Sequence, residues 1–169
     1  MSDVLNSQQL RLRPCAITDC INLHALWIEA EVRRFLFDDR QISLDEAHSL
    51  IEASLNSFAQ HGYGVWLFFQ QQHDEIAGFA GLLHSDGAAP SLIFGTHPQW
   101  WGRGYAREAA LTILCYAFAQ LGIQTIRADV DAPNAASVRV LESLGMSRSG
   151  SAILNQRPLL YYEIHKPCD

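Results

Sequence analysis

The sequence predicts a single α/β (α+β) domain, with a mixed central sheet of about seven strands flanked by about four helices. Three observations point there. Strand-type and helix-type periodicities follow one another in the order β-α-α-β-β-β-α-β-α-β-β. Residues 63–96 read as a three-strand meander, with turn signals at 70–74 and 85–87. Residues 91–130 then read as strand, glycine loop, long helix and strand. Hairpins make antiparallel neighbours and helical crossovers make parallel ones, so the sheet is mixed. A chain of 169 residues suits one domain with a sizeable core, and no repeat or linker interrupts it.

Residues 1–9 are polar, lack a signal-peptide pattern, and read as a flexible N-terminal extension. Leu10-Arg11-Leu12-Arg13 alternates apolar and charged side chains, which marks a short strand ended by Pro14. Thr18 and Asp19 open a helix carrying Leu23, Trp27 and Ala30 on one side, expected to run to about Glu31. Residues 35–42 form a connection. Ser43 and Glu46 make a capping box for a second helix, which stops at His61-Gly62.

The meander strands are 63–69, 76–83 and 91–96. Gly78 and Gly81 weaken the middle strand and predict a bulge or a close neighbour. The helix after the loop is the clearest in the chain. Ala106, Ala109, Ala110, Ile113, Leu114, Ala117, Phe118 and Leu121 recur at steps of three and four, and Gly122 ends it. A strand at 125–130 follows. Asn134 is an N-cap for a short helix ended by Gly145, and strands at 146–153 and 158–165 complete the chain.

The loop Trp101-Gly102-Arg103-Gly104-Tyr105-Ala106 lies between strand and helix. That arrangement presents bare backbone N–H groups at a helix N-terminus, where an anion can sit. It is not a P-loop, because no Gly-Lys-Ser/Thr follows, nor a dinucleotide fingerprint, because Arg107 stands where a small residue is needed. The spacing is equally that of a plain glycine turn.

The net charge of −6, from 12 basic and 18 acidic residues, argues against a nucleic-acid binder. A local basic patch at Arg103 and Arg107 suits an anionic ligand. No apolar run reaches membrane-spanning length. Cys15, Cys20, Cys115 and Cys168 form no C-x-x-C pair, so neither a metal site nor a disulfide framework is expected; reduced thiols fit a cytoplasmic protein.

Two segments carry a resemblance. One is Pro98-Gln99-Trp100-Trp101-Gly102-Arg103-Gly104-Tyr105-Ala106-Arg107-Glu108-Ala109, and the other runs from Asp131-Ala132-Pro133-Asn134 through Ser137 to Leu144-Gly145-Met146. Together with Leu-Arg-Leu-Arg-Pro at 10–14, they resemble the GNAT superfamily of N-acetyltransferases. Within it the chain is most similar to the branch that includes the ribosomal-protein N-terminal acetyltransferases. Trp101 takes the place of Gln or Arg at the first position of the pyrophosphate motif, a swap that the branch shares.

The resemblance implies acetyl-CoA as co-substrate and no metal. It implies that the strand at 91–96 splays from the parallel strand at 125–130, with the pantetheine arm in the gap. Backbone groups near Phe94, Gly95, Thr96 and His97 would hold that arm, and an N–H at about Gly95 would hold the acetyl oxygen. Gly102, Arg103, Gly104, Tyr105 and Ala106, with Trp101, would hold the pyrophosphate. Asn134 would bond the pantetheine, and Ser137 would sit near the sulfur as proton donor. Both residues are equally good helix caps by spacing.

The implied acceptor is a small-molecule amine or a protein N-terminus, and the chain is expected to be a monomer or homodimer. Where many members of the superfamily carry a glutamate base, this chain has Ser91, which could orient a water. His97 and Glu163 are alternative bases, and Tyr161 and Tyr162 are alternative donors. An α-amine, with a pKa of about 7.7–8.0, is roughly one-tenth neutral at pH 7, whereas a lysine is neutral to only a few parts in ten thousand. A site without an obvious base favours the former. The absent glutamate also leaves open a coenzyme A-binding sensor or scaffold whose catalysis has lapsed, and the acyl group could be another, such as succinyl. Trp27, Glu31, Arg33, Arg34, Phe35 and Phe37 are candidates for shaping the acceptor cleft.

Overall fold

The computed structural model describes residues 3–168. One mixed sheet carries eight strands: β1 (Leu5–Asn6), β2 (Leu10–Pro14), β3 (Val65–Gln70), β4 (Gly78–Leu83), β5 (Ser91–Thr96), β6 (Thr125–Asp131), β7 (Ser147–Leu154) and β8 (Arg157–His165). Their order across the sheet is β1-β2-β3-β4-β5-β6-β8-β7. Five α-helices are described: α1 (Cys20–Ile28), α2 (Ala30–Arg33), α3 (Leu44–His61), α4 (Tyr105–Ala119) and α5 (Ala135–Ser143).

The strand count exceeds the expected seven because of β1, which pairs Leu5 with Leu12 and Asn6 with Arg11. The expected flexible extension is thus tied down over its described residues. Ser7 Oγ and the Gln9 N–H both donate to Glu108 on α4, at 2.6 Å each. The helix count differs because the first predicted helix breaks at Glu29, whose ψ of 127° is extended. Nothing in the apolar spacing of Leu23, Leu26 and Trp27 marks that break.

Other ends follow local chemistry. Ser43 and Glu46 form the capping box of α3, and Gly62 closes it in the left-handed region at φ 82°. The 91–130 crossover is parallel, and the rest of the sheet is antiparallel. The expected crowding at the β4 glycines is present without a bulge, since the β3–β4 register is regular. A Cβ on Gly81 would lie 2.2 Å from the Gly64 carbonyl oxygen, and one on Gly78 would lie 2.3 Å from that of Gly95.

The sheet divides the core in two. On one face, α4 lays Ala109, Ile113, Leu114 and Ala117 against Trp66, Phe68, Leu82 and Ile126. On the other, Leu23, Leu26, Trp27 and Ile51 of α1 and α3 cover Leu67, Phe69 and Phe79. Fully buried aromatics such as Phe68 and Phe79 each contribute about 3–5 kcal/mol on the scale of truncation to alanine. Between α2 and α3, Phe37, Asp38 and Asp39 have φ values of 55°, 55° and 62°. Such a backbone costs roughly 1–3 kcal/mol per residue and persists only where its surroundings hold it.

Candidate active site

The site begins where β5 and β6 part. Only Ser91 and Arg127 pair across them, and the Arg127 N–H reaches the Pro90 carbonyl at 2.9 Å. Beyond this point the strands diverge, as the splayed pair expected from the sequence. Backbone groups alternate sides along a strand. His97 N–H donates to Ala77 O on the β4 side at 2.8 Å, so the Gly95 N–H also faces β4. The peptide groups of Phe94 and Thr96 share the parity of Pro90 and face the gap. The Gly95 amide, expected near the acetyl oxygen, therefore faces β4, and the amides that face the gap are those of Phe94 and Thr96.

A cavity of about 540 Å³ opens at this gap and runs to the N-terminus of α4. Phe94, Gly95, Thr96, Asn134 and Ser137 line one part of it. Trp101, Gly102, Gly104, Tyr105 and Ala106 line the other. Arg107 joins them on the cavity wall as a cation at the loop end, with Arg34 a second cation on the lining. Gly104 caps α4 in the left-handed region at φ 75°, a conformation natural to glycine. The first N–H of the helix to find a carbonyl is that of Glu108, on Gly104 O at 3.0 Å. The preceding helix amides find no carbonyl partner among the described residues.

Three predicted residues are placed elsewhere. His97 Nδ1 accepts from the Gln99 N–H at 3.2 Å and caps the turn at Pro98–Trp100. The Arg103 guanidinium lies over the Trp100 ring, 5.0 Å from its centroid. Ser91 sits at the β5–β6 pairing point and lines neither this cavity nor the next. Trp101 turns its indole N–H onto Thr96 O at 2.8 Å, so the residue in place of Gln or Arg pins the loop to the end of β5.

A second cleft of about 370 Å³ adjoins the first and shares Phe35, Leu36, Phe94, Asn134 and Ser137 with it. Asp38, Asp129 and Asp131 also line it. Asp129 and Asp131 follow Arg127 at two-residue steps, and so lie on the same face of β6. Nothing in the sequence marks these carboxylates, since their place in the cleft depends on the strand register. Of the expected cleft-shaping residues, Glu31, Arg34, Phe35 and Phe37 do line one or both cavities. Trp27 is buried core at 3% exposure.

Asn134 both caps and lines. Its Oδ1 accepts the Ser137 N–H at 3.2 Å, which leaves its amide NH₂ available. The alternative proton-handling residues lie outside both cavities. Glu163 is opposite Arg127, with His165 3.3 Å away. The Tyr162 hydroxyl donates to Glu142 at 3.0 Å. Burial, then the Glu142 carboxylate, push that phenol above its ordinary value.

Residues 9–147 match the model of the acetyltransferase (GNAT) domain. The chain belongs to the GNAT acetyltransferase family. Like other members, it is an acetyl-CoA-dependent acetyltransferase. It is 23% identical over 151 residues to the uncharacterized N-acetyltransferase p20 of Bacillus licheniformis, covering 88% of this chain and 84% of that one. Among solved structures, the ribosomal L7/L12 α-N-protein acetyltransferase RimL in complex with coenzyme A superposes with a TM-score of 0.81. The identity is 18%, over 96% of this chain and 97% of that one. The Salmonella typhimurium acetyltransferase that modifies the N-terminal serine of ribosomal protein L7/L12 gives 0.80 at 17% identity, over 96% and 98%.

The residues present fit the nucleotide-tailed thioester that the family uses. Cβ atoms on Gly102 and Gly104 would meet nothing within 4 Å, so the loop leaves open space above its amides. Thr96 Oγ1 is buried at the cavity without a partner among the described residues. No helix is long and apolar enough to cross a membrane, and no cluster of metal-ligating side chains occurs, among the described residues.

Proposed function

We propose that the protein transfers acetyl from acetyl-CoA by direct attack of a primary amine. The acceptor would be a protein N-terminal α-amine, as in the ribosomal-protein branch, or a small-molecule amine. The observation that carries this reading is the meeting of two clefts at Phe94, Asn134 and Ser137, one ending on bare helix amides and the other on carboxylates. The thioester supplies the activated acetyl group. The amides of residues 102–106 hold its diphosphate, aided by the helix dipole and Arg107. A gap-facing amide of Phe94 or Thr96 donates to the carbonyl oxygen as negative charge develops there.

Ser137 Oγ is the donor of choice for the departing thiolate, because it lines both clefts and makes no other hydrogen bond among the described residues. The amine enters from the second cleft, where carboxylates favour an ammonium. An α-amine needs only to lose its proton to solvent, being about one-tenth neutral near pH 7. This suits a site whose expected bases, Ser91, His97 and Glu163, line neither cleft.

The alternative raised by the sequence, a coenzyme A sensor with lapsed catalysis, runs against the family assignment. Calorimetry with acetyl-CoA, followed by thiol release with a panel of amines, separates the two. The panel should begin with a peptide starting in serine, the substrate type of the Salmonella neighbour. Amine-dependent release supports the enzyme. Binding without release across the panel would leave the sensor, and no binding would remove both.

A further inference from the structure

Arg157, the first residue of β8, joins three parts of the chain. Its Nη1 donates to Asp38 Oδ1 at 2.7 Å, and its Nη2 to Asp131 Oδ2 and to the Arg34 carbonyl, each at 3.5 Å. Asp131 ends β6, while Arg34 and Asp38 belong to the segment between α2 and α3. That segment carries three of the five positive-φ residues other than glycine among the described residues, the others being Asn155 and Gln156 beside Arg157, and its Phe35 and Leu36 line both clefts. Its other ties include the packing of Leu36 and Phe37 against the core on that face of the sheet. Arg33 Nη1 donates to Asp39 O at 2.7 Å, and the Trp27 ring meets Phe37 edge-on at 5.9 Å.

We propose that Arg157 is a positioning residue that straps residues 34–39 across the seam between the two clefts, so that Phe35 and Leu36 wall the acceptor cleft and keep water from the thioester. This rests on the acetyltransferase reading. Without the guanidinium, Asp38, Asp129 and Asp131 would share one cleft with no cation among them. Their mutual repulsion would push the segment outward. The two prongs differ: the Asp131 side chain is 11% exposed and that of Asp38 is 76% exposed. Salt should therefore loosen the outer prong first.

Hydrogen exchange tests the strap directly, because Leu36 N–H bonds Arg33 O at 3.0 Å and Arg40 N–H bonds Phe37 O at 3.0 Å. In Arg157→Ala, exchange at residues 36–40 should rise at least tenfold, while α3 and α4 exchange as in the parent. Amine-independent thiol release from acetyl-CoA should rise several-fold, with acetyl-CoA affinity held within twofold. Asp38→Asn should show a smaller effect of the same kind and add nothing to Arg157→Ala. Arg157→Lys, which can hold one carboxylate at a time, should fall between, and carries the test if the alanine variant does not fold. Unchanged exchange at 36–40, or a uniform rise across the chain, would overturn the strap. So would locally faster exchange with unchanged thiol release. A parent protein that binds no acetyl-CoA would instead sink the acetyltransferase reading, while the exchange pattern would still decide whether Arg157 holds the segment.

Discussion

Ser137 and Asn134 stand three positions apart at the start of α5, and each has two claims on it. Asn134 satisfies a helix amide that would otherwise lack a partner, worth about 0.5–2 kcal/mol. It also lines both clefts. Asn134→Ser separates the roles, because serine caps as well as asparagine but brings no NH₂ group. The thermal midpoint should stay put while acetyl-CoA affinity falls, read by calorimetry on the same samples. Loss of stability with intact affinity would reduce Asn134 to a cap. Ser137→Ala leaves the cap acceptor in place and removes only the hydroxyl. Turnover should drop on the order of 100-fold, as for loss of a positioned proton donor, with affinity within a few-fold. Unchanged turnover would take Ser137 out of the chemistry.

At the scale of elements, β4 positions β5, and Gly78 sets how closely. Gly78 faces the Gly95 carbonyl so tightly that a Cβ would sit 2.3 Å away, also against the Phe68 ring. Gly78→Ala must therefore displace β5 at the point where it lines the cavity. We expect a loss of about 1–3 kcal/mol in urea unfolding, typical of overpacking, together with weaker acetyl-CoA binding. Gly81→Ala meets the Gly64 carbonyl instead, away from the cavity. It should cost similar stability with affinity unchanged once the protein is folded. The same elements show what a sequence can carry. The capping box at Ser43, the glycine cap at Gly62 and the helix after Gly104 were legible because one local interaction decides each. Glu29 was not, since a helix break there has no glycine or proline to announce it. The direction of the Gly95 amide and the gathering of Asp38, Asp129, Asp131 and Arg157 were illegible for a different reason. They depend on strand register and on a segment held from 119 residues away.

On the scale of the whole molecule, two carboxylates tie the segment around the first two strands to the helices. Asp19 receives both Nη atoms of Arg13 at 2.8 Å and the Ala16 N–H at 2.7 Å, while only 7% exposed. The Arg13 hydrogen bonds outweigh burial and hold its carboxyl below the ordinary range. For Glu108, burial alone would raise the carboxyl, but the bonds from Ser7 and Gln9 prevail and lower it. A carboxyl whose folded pKa is depressed binds fewer protons folded than unfolded near that pKa. Its contribution is complete above the unfolded values, about 3.9 for Asp and 4.3 for Glu, and is lost as the pH falls through the folded pKa. Unfolding midpoints in urea should therefore be flat from pH 7 to about 5 and fall below about 4. Asp19→Asn should cost about 1–3 kcal/mol at pH 7, nearer the low end because Arg13 is partly exposed, and should flatten the acid limb. Glu108→Gln should flatten it less. It should also raise exchange at residues 5–9, because its staple is what ties the segment around the first strand to α4. An acid limb of unchanged steepness in both variants would mean that other carboxylates carry the low-pH transition.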